Sequence, residues 1–158
     1  MTVRQARVED FPRILEIYAN ARQFMAQTGN PTQWGTRYPP EEMLREDIRR
    51  GDLYVVEDDF ICGVFAYFTD PDPTYSYIED GSWMDESSYG TIHRVAAHGA
   101  RGVFSAVVDY AAGRNRHIRI DTHHDNHVMQ HVLEKHGFSR RGIIYLEDGD
   151  PRIAYERV

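Results

Sequence analysis

A chain of 158 residues, 41% of them apolar and 12% aromatic, is long enough to bury a real core and short enough to be one domain. Its formal charge of −7 and pI near 5.6 exclude the basic footprint of a protein that grips a phosphate backbone, so no nucleic-acid partner is expected, while a cationic small substrate is permitted. The single cysteine, Cys62, excludes an internal disulfide framework. The start MTVRQARVED lacks a signal-like apolar core and no run reaches the roughly eighteen apolar residues of a membrane span, so a cytoplasmic protein without a membrane partner is expected.

Thr2 to Arg7 alternates polar and apolar residues as a first strand. Asp10 is placed to cap a following helix, with Pro12 in its first turn, and Ile14, Leu15, Ile17, Tyr18, Ala21, Phe24 and Met25 recur at helical spacing until Gly29 and Pro31 end the pattern. Residues 29–40, GNPTQWGTRYPP, are turn formers carrying Trp34 and Tyr38, which either pin a loop to the core or wall a substrate pocket. Glu41 to Arg50 reads as a short second helix closed by Gly51. Leu53–Val56 and Phe60–Phe68 read as a hairpin around Asp58-Asp59, with Cys62 a small core residue of its second strand.

Residues 69–90, TDPDPTYSYIEDGSWMDESSYG, form the longest irregular segment, of the kind that is functional or mobile. Its Asp80, Asp85 and Glu86 either draw in an amine or form a solvated surface. Thr91 to Ala97 is then a strand that turns through Gly99-Ala100-Arg101-Gly102 into a helix from Val103. His117–Thr122 is another strand, and Asp125 or Asn126 caps a helix bearing Val128, Met129, Val132 and Leu133 up to Gly137. Phe138–Leu146 and Arg152–Tyr155 are two last strands around an acidic turn. The order of elements predicts a mixed α/β domain.

The corner at residues 99–104 joins a strand to a helix whose first N–H groups lack intrahelical partners, which makes it either an anion-binding turn or an ordinary connection. No GxxxxGK[ST], GxGxxG or GxSxG motif is present, so a nucleotide P-loop, a dinucleotide fold and a hydrolase elbow are set aside.

The stretches IHRVAAHGARGVFSAVVDYA and RIDTHHDNHVMQHVLEKHGF, together with QW, RYP, DI and GDLYV upstream, resemble the GNAT N-acetyltransferase superfamily over essentially the whole chain. The resemblance implies a single domain with a mixed, mostly antiparallel sheet of about seven strands and about four helices. It also implies acetyl-CoA lying where the fourth and fifth strands part. Val95 and Ala97 would then meet the pantetheine arm, Gly99, Ala100, Arg101, Gly102, Val103 and Phe104 the pyrophosphate, and Asn126 the pantetheine from the start of the fourth helix. Of the family's [QR]xxGx[GA] loop only Gly102 matches outright; Gly99 and Phe104 replace its first and last residues.

Acetylation of an amine requires a base for the ammonium proton, a donor to the developing oxyanion, and a proton for the leaving thiolate. A strand N–H near Val95 is the family-like oxyanion donor. His93, two residues before Val95, is read as lying in phase with it and as the candidate base, with a hydrogen-bonded structural histidine as the alternative. The tyrosine the family often uses as acid is replaced by Leu133, which leaves Tyr110 in reserve. His123, His124, His127 and His131 suggest metal spacing, but HVMQH lacks the glutamate of a zinc protease motif, so no metal is expected. The expected function is direct acetyl transfer to the amine of a small molecule or peptide, with Trp34, Tyr38 and Asp80 on the acceptor side. A weakly active acyl-CoA-binding module is the alternative, and a homodimer is compatible with either.

Overall fold

The computed structural model describes residues 1–158, and its local structure follows the alternation and spacing of the chain. Strand β1 (Thr2–Gln5) stops short of Arg7 because Val8–Asp10 tightens into a 3₁₀ turn before helix α1 (Phe11–Gln27). Asp10 takes the N-cap position of α1 expected from the sequence, but its side chain does not cap the helix. Its carboxylate accepts from the Arg7 N–H at 2.8 Å and from the Arg4 guanidinium at 2.8 and 3.0 Å, closing the turn that precedes the helix.

Helix α2 (Glu41–Arg50) carries Glu41 and Glu42 in its first turn and Arg49 and Arg50 in its last, which complements the helix dipole. Strands β2 (Leu53–Glu57) and β3 (Ile61–Phe68) form the hairpin, and β4 (Gly90–Ala97) leads to α3 (Val103–Arg114). After them come β5 (Ile118–Thr122), α4 (His127–Lys135), β6 (Ser139–Tyr145) and β7 (Pro151–Arg157). Seven strands make one sheet in the order β1-β2-β3-β4-β5-β7-β6. Every pairing is antiparallel except that of β4 with β5. The mixed, mostly antiparallel seven-stranded sheet with four helices is the α/β fold expected from the sequence. Alternate residues of β2 and β3 face opposite layers. Val56, Phe65 and Tyr67 join the cluster around Val107 and Leu133, while Val55, Val64 and Ala66 join that around Ile14, Tyr18 and Leu44.

Two irregularities of β4 shape what lies beside it. It pairs with β5 only at Gly90↔Ile118 and Thr91↔Arg119, so the two strands part from Ile92 onward. Against β3, His93 faces Ala66 and Ala96 faces Val64, leaving Arg94 and Val95 opposite Phe65 alone. This is a bulge, with Arg94 at φ 55°. The displaced Arg94 carbonyl accepts from the hydroxyl of fully buried Tyr18 at 2.7 Å.

The segment before β4 is ordered by its own contacts. A 3₁₀ turn at Pro73–Tyr75 buries Tyr75, whose carbonyl accepts from Trp83 Nε1 at 2.9 Å. Glu79 bridges to Ile143 of β6. The Arg119 guanidinium lies between the rings of Trp83 and Tyr89, 4.0 and 4.1 Å from their centroids. Beneath them Glu156, wholly buried, accepts from the Met84 N–H at 2.6 Å and faces His117 Nε2 at 2.6 Å and Arg119 Nε at 3.4 Å.

Candidate active site

A cavity of about 430 Å³ opens where β4 and β5 part. Trp34 and Tyr38, Asp72 and Thr74, His93 to Val95 and the β5 residues Ile120 to Thr122 line it. Asn126 and Met129 of α4 and the turn residues Leu146, Asp148, Asp150 and Arg152 complete the wall.

His93 is held by Asp72. The His93 Nε2 to Asp72 Oδ2 distance is 2.8 Å, and Asp72 Oδ1 accepts from the Thr74 N–H at 2.9 Å and its hydroxyl at 2.7 Å. Burial pushes the Asp72 carboxyl up, but the hydrogen bonds from His93 and Thr74 outweigh it and hold the group at about 2. With the carboxylate on Nε2, His93 Nδ1 has no protein partner. The ring packs on Phe68 and Tyr75, with centroids 5.9 and 6.2 Å away. The Tyr75 hydroxyl donates to Asp121 Oδ2 at 2.6 Å. Burial and the adjacent carboxylate raise the Tyr75 pKa far above the usual phenol range, so it stays a donor. Arg94 Nη2 meets Asp47 Oδ2 at 2.7 Å and the guanidinium lies 5.4 Å from the Phe68 ring centroid.

Asn126 and Thr122 bring neutral polar groups to the cavity. Asn126 caps α4, its Oδ1 accepting from the Met129 N–H at 3.0 Å, and its Nδ2 donates to Gln33 Oε1 at 3.0 Å. Thr122 Oγ1 is buried without a partner. Beyond β4 the chain turns at Gly99 (φ 90°) and Gly102 (φ 81°), and Gly102 precedes α3 with no side-chain cap. A Cβ added at Gly102 would meet nothing within 4 Å, so the chain is open to solvent just before α3. A slot between strands, an orphaned hydroxyl beside it and an uncapped helix start after the same strand are features that fit an extended acyl-CoA.

Of the residues singled out in the sequence, Trp34, Tyr38, His93, Val95 and Asn126 line the cavity. Gly99 to Phe104 form the turn and first helical residues. Val103 is buried and so has only its backbone to offer there, while Arg101 is exposed. Ala97 is exposed at the end of β4.

Three expectations are corrected. His93 and Val95 are not in phase, because the Arg94 bulge resets the alternation: Val95 packs with the cluster containing Ile92, and Ala96 joins the other. Tyr110 packs between Tyr54, Phe65 and Tyr67, apart from the cavity. Asp80 is exposed outside the cavity, since the Glu79 bridge carries it over β6; Asp72 of the same segment lines the wall instead. Leu133 is fully buried. His127 and His131 are exposed on α4, and only His123, His124 and Asp125 come together. Asp72, Arg94, Asp121, Thr122 and Arg152 were not foreseen, although the Asp-Pro-Thr run at 72–74 is a local turn signal that would have marked the first.

Residues 1–139 match the family described as the acetyltransferase (GNAT) domain. A GNAT-family acetyltransferase from Streptococcus agalactiae is 28% identical, with a TM-score of 0.87 over 99% of this chain and 94% of that one. A ribosomal-protein-alanine N-acetyltransferase from Brucella melitensis shares the fold at 14% identity and TM-score 0.62, over 100% and 99% of the two chains. So does AAC(6')-Ib, solved in complex with ribostamycin and coenzyme A, at 17% identity and TM-score 0.66, over 99% and 92%. A search of curated proteins found no match.

Proposed function

Because the chain belongs to the GNAT acetyltransferase family, we propose that it transfers an acetyl group from acetyl-CoA directly to the amine of a small molecule or peptide. The observation that carries this reading is the His93–Asp72 pair, which faces a cavity at the parting of β4 and β5. Bound acetyl-CoA supplies the activated thioester carbonyl. Val95 and Ala97 would hold its pantetheine arm from β4, with Asn126 and the orphaned Thr122 hydroxyl across the slot. The amides of Gly99 to Phe104 would seat its pyrophosphate. The fold relative solved with coenzyme A is consistent with that cofactor.

His93 acts as general base. With its Nε2 proton directed to Asp72, the free Nδ1 takes the proton that the acceptor ammonium must lose before its nitrogen attacks, and such a base is worth roughly 10²–10⁴ in rate. The Val95 N–H lies at the bulge, outside the β3 register, and donates to the oxygen that gains charge; one such donor contributes about 3 kcal/mol. Leu133 offers no proton, so protonation of the leaving sulfur falls to water. Trp34 and Tyr38 wall the acceptor side. Nothing in the site favours a binding module without turnover.

Calorimetry with acetyl-CoA and a thiol-release assay against a panel of amines test the reading. Binding, turnover, and a loss of at least about 100-fold in kcat/KM for His93→Gln are expected. No acetyl-CoA binding at high micromolar concentration would overturn it.

A further inference from the structure

One cation of the cavity has only a distant, exposed counter-ion. Arg152 is 6% exposed and opens onto the cavity. Its Nη1 donates to the carbonyl of its own neighbour Pro151 at 2.9 Å, and its nearest carboxylate is Asp150, 4.0 Å away and 62% exposed. Nε and Nη2 have no protein acceptor. Arg94 in the same wall is different, since Asp47 compensates it at 2.7 Å. A buried guanidinium with unused donors is costly until an anion meets it, and its planar fork suits a carboxylate.

Apart from Asp150 and Asp148 of the turn, the cavity's carboxylates are Asp121 and Asp72. Asp121 receives only the neutral Tyr75 hydroxyl, and Asp72 is occupied by His93. The wall thus offers a carboxylate and a base for an ammonium, and a guanidinium with unused donors for an anion.

We infer that the acceptor is a zwitterion, a free amino acid or close analogue, whose amine lies toward Asp121 and His93 and whose carboxylate pairs with Arg152. This rests on the transferase reading above. Acetylation replaces the ammonium by a neutral amide: the C–N bond forms as the C–S bond breaks, and His93 takes the amine proton. The product keeps its carboxylate but loses the ammonium that Asp121 attracts, so the same wall that admits the substrate holds the product less tightly.

The test compares free amino acids with their α-amides, their decarboxylated amines and spermidine as acceptors of the purified protein. Amino acids are expected to exceed the matching carboxyl-free amines in kcat/KM by on the order of 100-fold. Arg152→Met should raise the amino-acid KM by a similar factor while the acetyl-CoA KM and melting temperature hold, and Arg152→Lys should recover part of the loss. Carboxyl-free amines turned over as well as amino acids, or no zwitterion turned over at all, would overturn the inference while acetyl-CoA binding and amine turnover leave the transferase reading standing. So would a lowered melting temperature with unchanged KM in Arg152→Met, which marks Arg152 as structural. Absence of acetyl-CoA binding sinks both.

Discussion

Asp72 ties acid stability to catalysis through one carboxylate. Its folded value of about 2 lies below the ordinary 3.8, so its contribution is fully present above about pH 4 and is lost as pH falls toward 2. The gap corresponds to at most ~2 kcal/mol. Asp72→Asn should unfold at lower denaturant than the parent at pH 6, with the difference shrinking between pH 4 and 2; a constant difference would disconnect the carboxylate from folding. The same variant should lose roughly 10- to 100-fold in kcat/KM, with its pH profile displaced, because His93 Nε2 loses its anion. His93, Trp34, Tyr38 and Asn126 were legible in the sequence because each sits within or beside a recognisable element. Asp72 and Arg152 were not. Asp72 reaches His93 across 21 positions of chain only because an irregular segment folds into a 3₁₀ turn, and Arg152 gains meaning only from the absence of a buried partner.

At the scale of elements, the bulge in β4 and the corner before α3 carry the site. Tyr18 holds the bulge through the Arg94 carbonyl. Tyr18→Phe should cost about 1–2 kcal/mol by leaving a buried acceptor unpaired, and should lower kcat about tenfold with little change in KM, because the Val95 N–H loses its aim. Equal losses in both parameters would show that the bulge serves binding instead. Gly102→Asp places a carboxylate before the α3 amides and should reduce acetyl-CoA affinity at least 100-fold by calorimetry, while Gly102→Asn, which bears the same backbone strain at φ 81° without the charge, retains most of it. Periodicity located all seven strands and four helices to within a few residues. It did not reveal the bulge, since an arginine at positive φ carries no local sign of the kind a glycine gives, nor the true role of Asp10, whose carboxylate was taken by Arg4 and the backbone of Arg7.

Across the whole molecule, the ion cluster around Glu156 fastens segment 69–90 to β5 and β7. Glu156→Gln should lower stability by roughly 3 kcal/mol, seen as a depressed melting temperature, because His117 and Arg119 lose their buried anion. Asp72 and Thr74 belong to the segment it fastens, so KM for the acceptor should rise as well. A normal melting temperature would mean that the cluster is not structural. Strand order was less legible than strand position: consecutive strands pair as far as β5, but β7 enters between β5 and β6, and no local residue pattern announces that. Placing β6 outermost would leave its backbone open, but residues 79–82 lie along it. Glu79 and Ile143 exchange two backbone hydrogen bonds of 2.8 Å, and Arg141 Nε donates to the Ser82 carbonyl at 2.9 Å. That margin is closed to another strand. Two copies joining sheet to sheet would have to meet through β1, four residues long, and the protein is guarded against strand-by-strand aggregation on the side where its sheet would otherwise be most open to growth.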